Sequence, residues 1–291
     1  MNQDLVLSIA LPVTLFCIMF SMGASLTPAN FKTLMQTPGA VLTGLFSQMV
    51  LLPLLAFVLL YPFSMPAEIF AGFMILALSP GGTTSNMFSY LAGGNLALSI
   101  SLTAIVSLLT PFTIPLVAGW ILASQAGPST AIHLPFLMTV VKLSVVTLLP
   151  VAVGMLLRHY KSAFCLRNKF WMTRLPLVML LLVIAGIINQ NWQKMPYFVD
   201  QTGLPAVLLA TLAIITGYLF ARSMKQNETD ARTIAIETSI QNGGTAILVT
   251  GTILQNPAMT IAPVMYGILM LIPVFVYLML LKLFKPAFVT S

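Results

Sequence analysis

Long apolar stretches separated by short polar turns run along the whole chain. A helix that crosses the hydrocarbon core of a bilayer needs about 20 predominantly apolar residues. Ending each stretch at charges or at proline, glycine and asparagine turns gives nine spans. They are residues 5–26, 39–61, 66–92, 96–124, 133–157, 173–190, 203–222, 229–255 and 260–284. The pattern predicts an all-α polytopic membrane protein with about nine transmembrane helices, built as a single membrane domain over residues 1–291.

The third and eighth spans are too long and too rich in glycine to be simple helices. Residues 79–86 of the third read SPGGTTSN, and residues 237–244 of the eighth read ETSIQNGG. Proline removes a backbone donor, and paired glycines weaken a helix. Irregular backbone at membrane depth is tolerated only where it is buried in protein or lines a cavity. Both segments are therefore predicted to be polar breaks near the middle of the membrane.

The two breaks lie five spans apart, and an offset of five reverses the orientation of a span in the membrane. If spans 1 to 4 correspond to spans 6 to 9, residues 1–125 form a first repeat and residues 173–285 an inverted second repeat. The span at 133–157 is then unpaired. Interrupted helices at corresponding positions of two halves indicate the binding site of a secondary transporter.

The composition excludes the main soluble classes. The chain is 58% hydrophobic and 7% charged, with 13 lysine and arginine residues and 6 aspartate and glutamate residues. About a quarter of the residues in a soluble domain are charged. High hydrophobicity excludes a disordered chain, and two cysteines are too few for a disulfide scaffold. Most of the exterior must face lipid.

The basic residues cluster in alternate loops, as the positive-inside rule requires. With the N-terminus outside, 11 of the 13 lie on the inner side, namely Lys32, Arg158, Lys161, Arg167, Lys169, Arg174, Arg222, Lys225, Arg232, Lys282 and Lys285. The outer loops carry Lys194. The net charge of +7 is thus a topology signal directed at membrane lipid headgroups and not at nucleic acid. We expect a bacterial inner (plasma) membrane protein with a cytoplasmic C-terminus.

Lys142 lies within the fifth predicted span. Its side chain could snorkel to the membrane surface, pair with a buried acceptor or interact with an anionic substrate. A structural role is favoured over substrate binding.

Glu237 is the acidic residue that falls well inside a predicted span. Polar groups that hydrocarbon should exclude mark functional sites in membranes. Three interpretations are open: a neutral glutamic acid in a structural hydrogen bond, a proton relay, and a ligand of a cation. The neighbouring hydroxyls, amides and unwound backbone carbonyls are hard oxygen donors, which favour a small cation such as Na⁺ held by one carboxylate.

The fourth span adds a polar face. Ser99, Thr103 and Ser107 recur at four-residue spacing, so their hydroxyls share one side of a helix. Any one of them could simply bond to its own backbone or to a packed neighbour. Gln48 in the second span, taken alone, would be interpreted as an interhelical hydrogen bond. A polar stripe beside the first break nevertheless favours a site.

Three stretches together resemble the bile acid:sodium symporter family, and with the hydropathy pattern the similarity covers nearly the whole chain. They are residues 22–31 (MGASLTPANF), residues 80–86 (PGGTTSN) with 95–99 (NLALS), and residues 237–242 (ETSIQN). Some bacterial relatives have ten spans, and this chain resembles the nine-span form that lacks the first helix. The resemblance implies a panel domain packed against a core domain in which the two broken helices cross.

The resemblance also implies two sodium sites that share Glu237. The first would use Ser85, Asn86, Ser99, Thr103 and Glu237. The second would use Gln48, Glu237, Gln241 and the backbone carbonyls of Thr238 and Ile240. One carboxylate leaves two Na⁺ undercompensated by one charge, which a monovalent organic anion would balance. That anion is expected near the crossing, beside Thr83, Thr84 and Asn242.

The substrate is less sharply defined. Some family members carry a polar His-Asn pair in the last helix, where this chain has Met270, Leu271 and Ile272. Bile acids give the family its name, but its bacterial members are also associated with small carboxylates such as pantoate. The resemblance therefore implies a small carboxylate ahead of a bile acid. We predict Na⁺-coupled symport of this organic anion by alternating access, with two coupling ions, no organic cofactor, no metal other than sodium and no obligate protein partner.

Two other functions were weighed against this prediction. The first is a proton-coupled organic-anion transporter or exchanger on the same scaffold. The second is a membrane enzyme or a non-transporting receptor, which is disfavoured because no histidine, cysteine or second acid accompanies Glu237 at depth. General acid and base chemistry would lack partners there.

Overall fold

The computed structural model describes residues 9–27, 37–125 and 136–283. These ranges are helical, with no strand among them. The first half contains α1 (Leu11–Ser25), α2 (Pro38–Leu60), α3 (Ala67–Ala77), α4 (Thr83–Leu91), α5 (Leu96–Gln125) and α6 (Phe136–Tyr160). The second half contains α7 (Ser162–Arg167), α8 (Lys169–Gln190), α9 (Met195–Ser223), α10 (Glu228–Ser239), α11 (Gly243–Leu248), α12 (Ile261–Leu269) and α13 (Leu271–Leu283).

Four short turns within or beside these helices depart from α-helical geometry. A π turn at Ser47–Leu51 lies inside α2, and a second π turn at Val249–Ile253 extends α11. Short 3-10 turns at Trp192–Lys194 and Pro257–Thr260 precede α9 and α12. π turns inside helices often occur at functional sites because they re-aim side chains.

Six helices in the described ranges are long and apolar enough to cross a membrane. They are Pro38–Leu60, Leu96–Val117, Leu137–Tyr160, Phe170–Gln190, Trp192–Ser223 and Pro257–Leu283. The remaining predicted spans correspond to the shorter apolar helix α1 and to the two interrupted segments. The protein is thus an all-helical integral membrane protein in these ranges, while the count of nine spans and the inverted repeat stay predictions.

Both segments predicted to be broken are interrupted in the structure. α3 ends at Ala77 and α4 begins at Thr83, with Pro80 between them. The helix restarts because the Ser85 hydroxyl accepts a hydrogen bond from the Gly82 N–H at 3.1 Å, which satisfies a donor that the helix cannot. α10 ends at Ser239, and the Asn242 side chain caps α11 by accepting from the Thr245 N–H at 3.2 Å.

The helices form two packed groups. α1 packs against both α6 and α8, and it approaches α6 closely at two glycines. A Cβ on Gly23 would lie 2.1 Å from the Val151 carbonyl oxygen, and one on Gly154 would lie 2.2 Å from the Phe20 carbonyl oxygen. The other long helices and the two broken ones share a second, larger apolar core that includes Phe73.

Large apolar side chains cover the outside of both groups. Leu42 is 66% exposed and Leu182 is 67% exposed, as expected for surfaces that contact lipid. Lys142 is also exposed, on a face of α6 that carries Val145 and Leu149. It is therefore not paired with a buried acceptor at the breaks, and its position fits a lysine that snorkels toward the membrane surface.

Several predicted features lie outside the described residues. They include the first residues of span 1, part of the 22–31 stretch, Lys32, the start of span 5 and Lys285. Where boundaries are described, the largest shift is in span 7, whose helix begins at Met195 and not near residue 203.

Candidate functional site

The two breaks touch each other in the middle of the second helix group. The backbone N–H of Asn242 donates to the carbonyl oxygen of Pro80 at 2.8 Å, so each break supplies a group that the other needs. We call residues 79–82 and 240–242 the crossing. The C-terminal ends of α3 and α10 and the N-terminal ends of α4 and α11 all converge on it. Partial negative and positive helix ends therefore meet at this depth.

Glu237 lies in the last turn of α10 and has no exposed surface. Its Oε1 accepts a hydrogen bond from Ser99 Oγ at 2.5 Å, and its Oε2 accepts from Thr103 Oγ1 at 3.0 Å and from Gln48 Nε2 at 3.2 Å. These donors come from α2 and α5, more than 130 residues away along the chain. The carboxylate of α10 is thus held by side chains of two other helices.

Asn86 on α4 joins the same group of oxygens. Its Oδ1 lies 2.7 Å from Ser99 Oγ and 3.5 Å from Thr103 Oγ1. A hydroxyl carries one proton, so Ser99 can donate either to Asn86 or to Glu237 but not to both. The cluster therefore holds more acceptor oxygens than protons to bond them. An oxygen-rich, proton-poor cluster is an environment that suits a cation.

Gly81 lets the cluster close around the first break. A Cβ at this position would lie 2.6 Å from Glu237 Oε2, 2.7 Å from Ser85 Oγ and 3.3 Å from Thr103 Oγ1. Contacts under 3.0 Å are essentially never made by real Cβ atoms. Three oxygens from α4, α5 and α10 thus converge beside Gly81, which brings Ser85 next to Glu237. All five residues predicted for the first sodium site share this location.

The residues predicted for the second site lie on the α2 side of Glu237. Gln48 sits in the π turn of α2 and donates to the Glu237 carbonyl oxygen at 2.7 Å. Gln241 Nε2 donates to the carbonyl oxygens of Thr238 and Glu237 at 2.9 and 3.3 Å. The other amide atom of Gln48, Oε1, is buried without a hydrogen-bond partner among the described residues. A buried oxygen without a hydrogen-bond partner is available to coordinate a cation.

The residues predicted to bind the anion lie where the helices restart after the two breaks, at the beginnings of α4 and α11. Thr83 and Thr84 in the first turn of α4 are partly exposed, and Asn242 is 9% exposed. A Cβ on neighbouring Gly244 would lie 3.3 Å from both Ile18 and Leu180, which belong to α1 and α8. This face of the crossing therefore borders the first helix group.

Only two members of the predicted hydroxyl stripe on α5 reach the cluster. Ser107 donates to the Thr103 carbonyl oxygen, and Thr110 donates to the Val106 carbonyl oxygen, both at 2.7 Å. These two follow the simpler interpretation, in which a membrane hydroxyl bonds to its own helix. Four-residue spacing alone could not separate Ser107 from Ser99 and Thr103, and Thr110 lies outside that spacing.

Sequence reasoning missed the residues that hold the end of α10 in place. Tyr266 OH donates to the Ser239 carbonyl oxygen at 2.7 Å, and Ser239 Oγ donates to the Ala210 carbonyl oxygen at 2.9 Å. Ser47 Oγ lies 2.7 Å from Thr238 Oγ1. Ser47 could have been identified from the sequence, because it is a second polar residue next to Gln48 in an apolar span. Tyr266 could not, because a single tyrosine among apolar residues is equally well explained by packing.

A second buried acid, Asp230, was also missed. It is 4% exposed at the start of α10, where its Oδ1 accepts from Asn95 Nδ2 at 2.8 Å and its Oδ2 accepts from Asn227 Nδ2 at 2.7 Å. The Asn95 N–H donates to Thr233 Oγ1 at 2.7 Å. This network ties the turn between α4 and α5 to the start of α10, and an acid there also complements the positive end of the helix.

A cavity of about 720 Å³ lies apart from the crossing. It is bounded by the end of α8 and by the beginnings of α3, α9 and α12, with Ile187, Phe198 and Val264 among its apolar walls. It lies at the ends of α8 and α9 that are distant from the basic loops. This is the side that the charge distribution predicts to face outward.

The chain matches the family model described as the sodium bile acid symporter family over residues 12–201, about two thirds of its length. Among curated proteins, it is 28% identical over 240 residues to the uncharacterized sodium-dependent transporter YocS of Bacillus subtilis (strain 168). The match covers 80% of this chain and 71% of that protein.

Two eukaryotic proteins give matches of similar strength. The chain is 29% identical over 244 residues to the ileal sodium/bile acid cotransporter of Oryctolagus cuniculus, covering 82% of this chain and 68% of the relative. It is 30% identical over 248 residues to the probable sodium/metabolite cotransporter BASS1, chloroplastic, of Arabidopsis thaliana. That match covers 84% of this chain and 60% of the relative, so the chain spans less than two thirds of the plant protein.

Proposed function

The chain belongs to the sodium bile acid symporter family, a family of sodium-coupled membrane transporters and not of enzymes, and from this premise we propose that it imports an organic anion together with Na⁺ by alternating access. In this proposal Na⁺ binds first and orders the crossing. The anion then binds beside it, and rocking of one helix group against the other exposes both to the inner side.

The oxygen cluster around Glu237 is the observation that carries the proposal. A fully buried carboxylate whose hydrogen-bond partners among the described residues include no basic side chain is costly in a membrane protein, and a bound cation offsets that cost. We assign the first Na⁺ to Ser85, Asn86, Ser99, Thr103 and Glu237. The surplus of acceptor oxygens over protons supports this assignment, since Na⁺ is coordinated by oxygen atoms alone.

A second Na⁺ is assigned to Gln48, Gln241, the carboxylate of Glu237 and the carbonyl oxygens of Thr238 and Ile240. The orphaned Oε1 of Gln48 supports this assignment, because a cation would supply the partner that the protein does not. The π turn at Ser47–Leu51 points the Gln48 side chain at the end of α10, as its bonds to Glu237 indicate.

We propose that the transported anion is a small carboxylate such as pantoate, with a bile acid as the larger alternative. Glu237 compensates one of two Na⁺, and a monovalent anion balances the other. Its carboxylate would bind near Thr83, Thr84 and Asn242, where the N-terminal end of α4 favours negative charge. Met270, Leu271 and Ile272 supply no polar group there, which favours a ligand that needs few hydrogen bonds beyond its carboxylate.

We also propose a division of the helices into two domains and two repeats. α1, α6 and α8 would form the panel and the remaining long and broken helices the core, with spans 1 to 4 and 6 to 9 as inverted repeats. The packing of α1 mainly against α6 and α8 supports this division. We further propose a bacterial inner membrane, with the N-terminus outside.

Uptake into proteoliposomes tests the proposal. Radiolabelled pantoate and taurocholate are each offered with an inward Na⁺ gradient, with K⁺ in its place, and with an inward proton gradient in K⁺ buffer. Accumulation that needs the Na⁺ gradient supports the proposal. Accumulation that is indifferent to Na⁺ overturns it, and accumulation driven by the pH gradient would favour the proton-coupled alternative, in which Glu237 carries a proton.

The site assignment has its own test. Glu237→Ala and Asn86→Ala should abolish Na⁺-dependent uptake and also the rise in unfolding temperature that Na⁺ gives over K⁺. Both proteins must remain folded, as judged by size-exclusion profile and far-ultraviolet circular dichroism. Unchanged Na⁺ dependence in both variants would refute the assignment.

A further inference from the structure

The cavity of about 720 Å³ has walls made mainly of apolar side chains. They come from both helix groups: Ile187 and Ile188 from α8 on one side, and Ile69, Phe198, Val264 and Met265 from α3, α9 and α12 on the other. We call this space the outer cavity. Its volume falls within the range of 300–1,000 Å³ that is typical of small-molecule sites.

Two of the residues that line the outer cavity carry a charge. Lys194 is in the 3-10 turn that leads into α9, and Glu68 is in the first turn of α3. Among the described residues neither belongs to a salt bridge, since the ion pair found there joins Arg232 and Glu228. Lys194 also lies at the N-terminal end of α9, a helix of 29 residues, so its charge and the partial positive charge of the helix end act together.

A single helix, α12, lies between the outer cavity and the crossing. Val264 and Met265 line the cavity, and the preceding residue, Pro263, has its carbonyl oxygen 3.3 Å from where a Cβ on Gly243 would lie. Gly243 is the first residue of α11 and borders the crossing. One layer of α12 thus separates the cavity from the proposed anion site.

We infer that the outer cavity is a first binding site for the anion, reached from outside and occupied without Na⁺. The inference rests on the proposed function and adds a specificity device to it. Lys194 binds the carboxylate, and the apolar walls contact the body of the ligand. Glu68 repels a second negative charge, so the cavity accepts monoanions and rejects dianions.

A cation-binding role for the cavity is less consistent with its charges. Glu68 is the only acid among the lining residues, and it already lies at the positive end of α3, which it stabilises. Lys194 forms no salt bridge among the described residues. The carboxylate of a ligand would supply the negative charge that pairs with it.

The experiment uses three ligands of similar size that differ in charge: pantoate (one negative charge), its neutral lactone pantolactone, and 2,2-dimethylsuccinate (two negative charges). Binding to the full chain in nanodiscs is measured by isothermal titration in K⁺ buffer without Na⁺. It is repeated with Glu237→Ala, which disables the crossing. Pantoate should bind both proteins, and more tightly than the other two ligands.

Lys194→Gln should raise the dissociation constant of pantoate about 3- to 10-fold, because it removes a charge-assisted hydrogen bond. It should leave pantolactone binding unchanged. The difference in the pantoate dissociation constant between the wild type and Lys194→Gln should shrink when KCl is raised from 50 to 500 mM, since salt screens exposed charges. Glu68→Gln should lower the dissociation constant of 2,2-dimethylsuccinate. Lys142→Gln is the matched control, an exposed lysine that does not line the cavity, and it should change nothing.

Three results would overturn the inference while leaving sodium-coupled transport intact. One is pantoate binding that Lys194→Gln does not weaken. Another is binding that Glu237→Ala abolishes, which would locate all anion binding at the crossing. The third is a wild type that does not bind pantoate in K⁺. The Na⁺-gradient uptake of the wild type decides the proposed function separately.

Discussion

Glu237 draws its hydrogen bonds from residues that the membrane would otherwise exclude. Ser99, Thr103 and Gln48 each donate to it, and no basic side chain is among these donors. Neutral donors reduce the cost of a buried carboxylate but leave its charge in place. Each of them also offers oxygen lone pairs to an ion, so the same residues that stabilise the protein without Na⁺ can coordinate it when Na⁺ binds.

Gly81 gives a sharp test of this close packing. Gly81→Ala places a Cβ within 2.7 Å of two oxygens of the cluster and should remove most of the Na⁺-dependent rise in unfolding temperature. The measurement is thermal unfolding in Na⁺ and in K⁺. Gly82→Ala is the matched comparison, because its Cβ would meet nothing closer than 3.8 Å, and it should have a smaller effect. Equal losses in the two variants would contradict the role given to Gly81.

Glu228, the first residue of α10, should make stability depend on pH. Partial burial raises the pKa of its carboxyl, but hydrogen bonds from Tyr218 and Arg232 outweigh this effect and hold the pKa below its usual value of 4.5. A lowered pKa in the folded state stabilises the protein above the unfolded pKa, and this contribution is lost as pH falls through the folded one.

The corresponding variant is Glu228→Gln. Its unfolding temperature should lie below that of the wild type at pH 7, and the gap should narrow between about pH 5 and pH 3. Differential scanning fluorimetry across this range measures the gap. A gap that is constant with pH would mean that the charge of Glu228 contributes nothing.

At the scale of helices, the break in each interrupted helix is fixed by bonds to the other one. Asn242 donates to Pro80, and Ser239 and Tyr266 bond the end of α10 to α9 and α12. Backbone groups freed by a break need partners in a membrane, because no water is available to them. The two breaks therefore satisfy each other, and neither segment would be stable as an isolated span.

The hydroxyls of α5 allow a matched comparison within one helix. Thr103→Val should weaken Na⁺ binding, since Thr103 Oγ1 lies 3.0 Å from Glu237 Oε2. We expect the Na⁺ concentration for half-maximal uptake to rise about tenfold, the effect of losing one charge-assisted bond. Thr110→Val removes a hydroxyl that bonds to its own helix and should leave that concentration unchanged. Similar shifts in both variants would argue against a specific role for Thr103.

The contact between α1 and α6 depends on two glycines. Gly154→Ala would place a Cβ 2.2 Å from the Phe20 carbonyl oxygen, a backbone atom that cannot move aside, so the helices must separate. Overpacking of this kind costs about 1–3 kcal/mol, and the unfolding temperature should fall. Gly119→Ala on α5 is the control, because its Cβ would meet nothing within 4 Å. A fall of equal size there would refute this explanation.

At the scale of the whole molecule, the charge distribution predicts which end of the helices faces outward. In a protein with Cys17 and Cys165 replaced by alanine, Lys194→Cys should react with a membrane-impermeant maleimide in intact cells. Lys225→Cys, which lies at the other end of α9, should react only after the membrane is permeabilised. The reverse pattern would contradict both the predicted orientation and the location of the outer cavity.

Much of the protein was determined by its sequence alone. Hydrophobic stretch length predicted a helical membrane protein, and Pro80 with the two glycine pairs predicted both interruptions, because these features act on the local backbone. Glu237 was identifiable because a carboxylate is conspicuous in an apolar span. Such properties depend on a residue and its near neighbours, and they can be read without knowing the fold.

The tertiary structure decided which polar residues meet. Ser99 and Thr103 reach Glu237 while Ser107 and Thr110 bond to their own helix, although all four are hydroxyls of α5. Asp230, Ser47 and Tyr266 gained their roles from partners on other helices, and Lys142 proved to be exposed away from the crossing. The physical reason is that hydrogen bonds between distant helices depend on packing geometry, which no local pattern encodes.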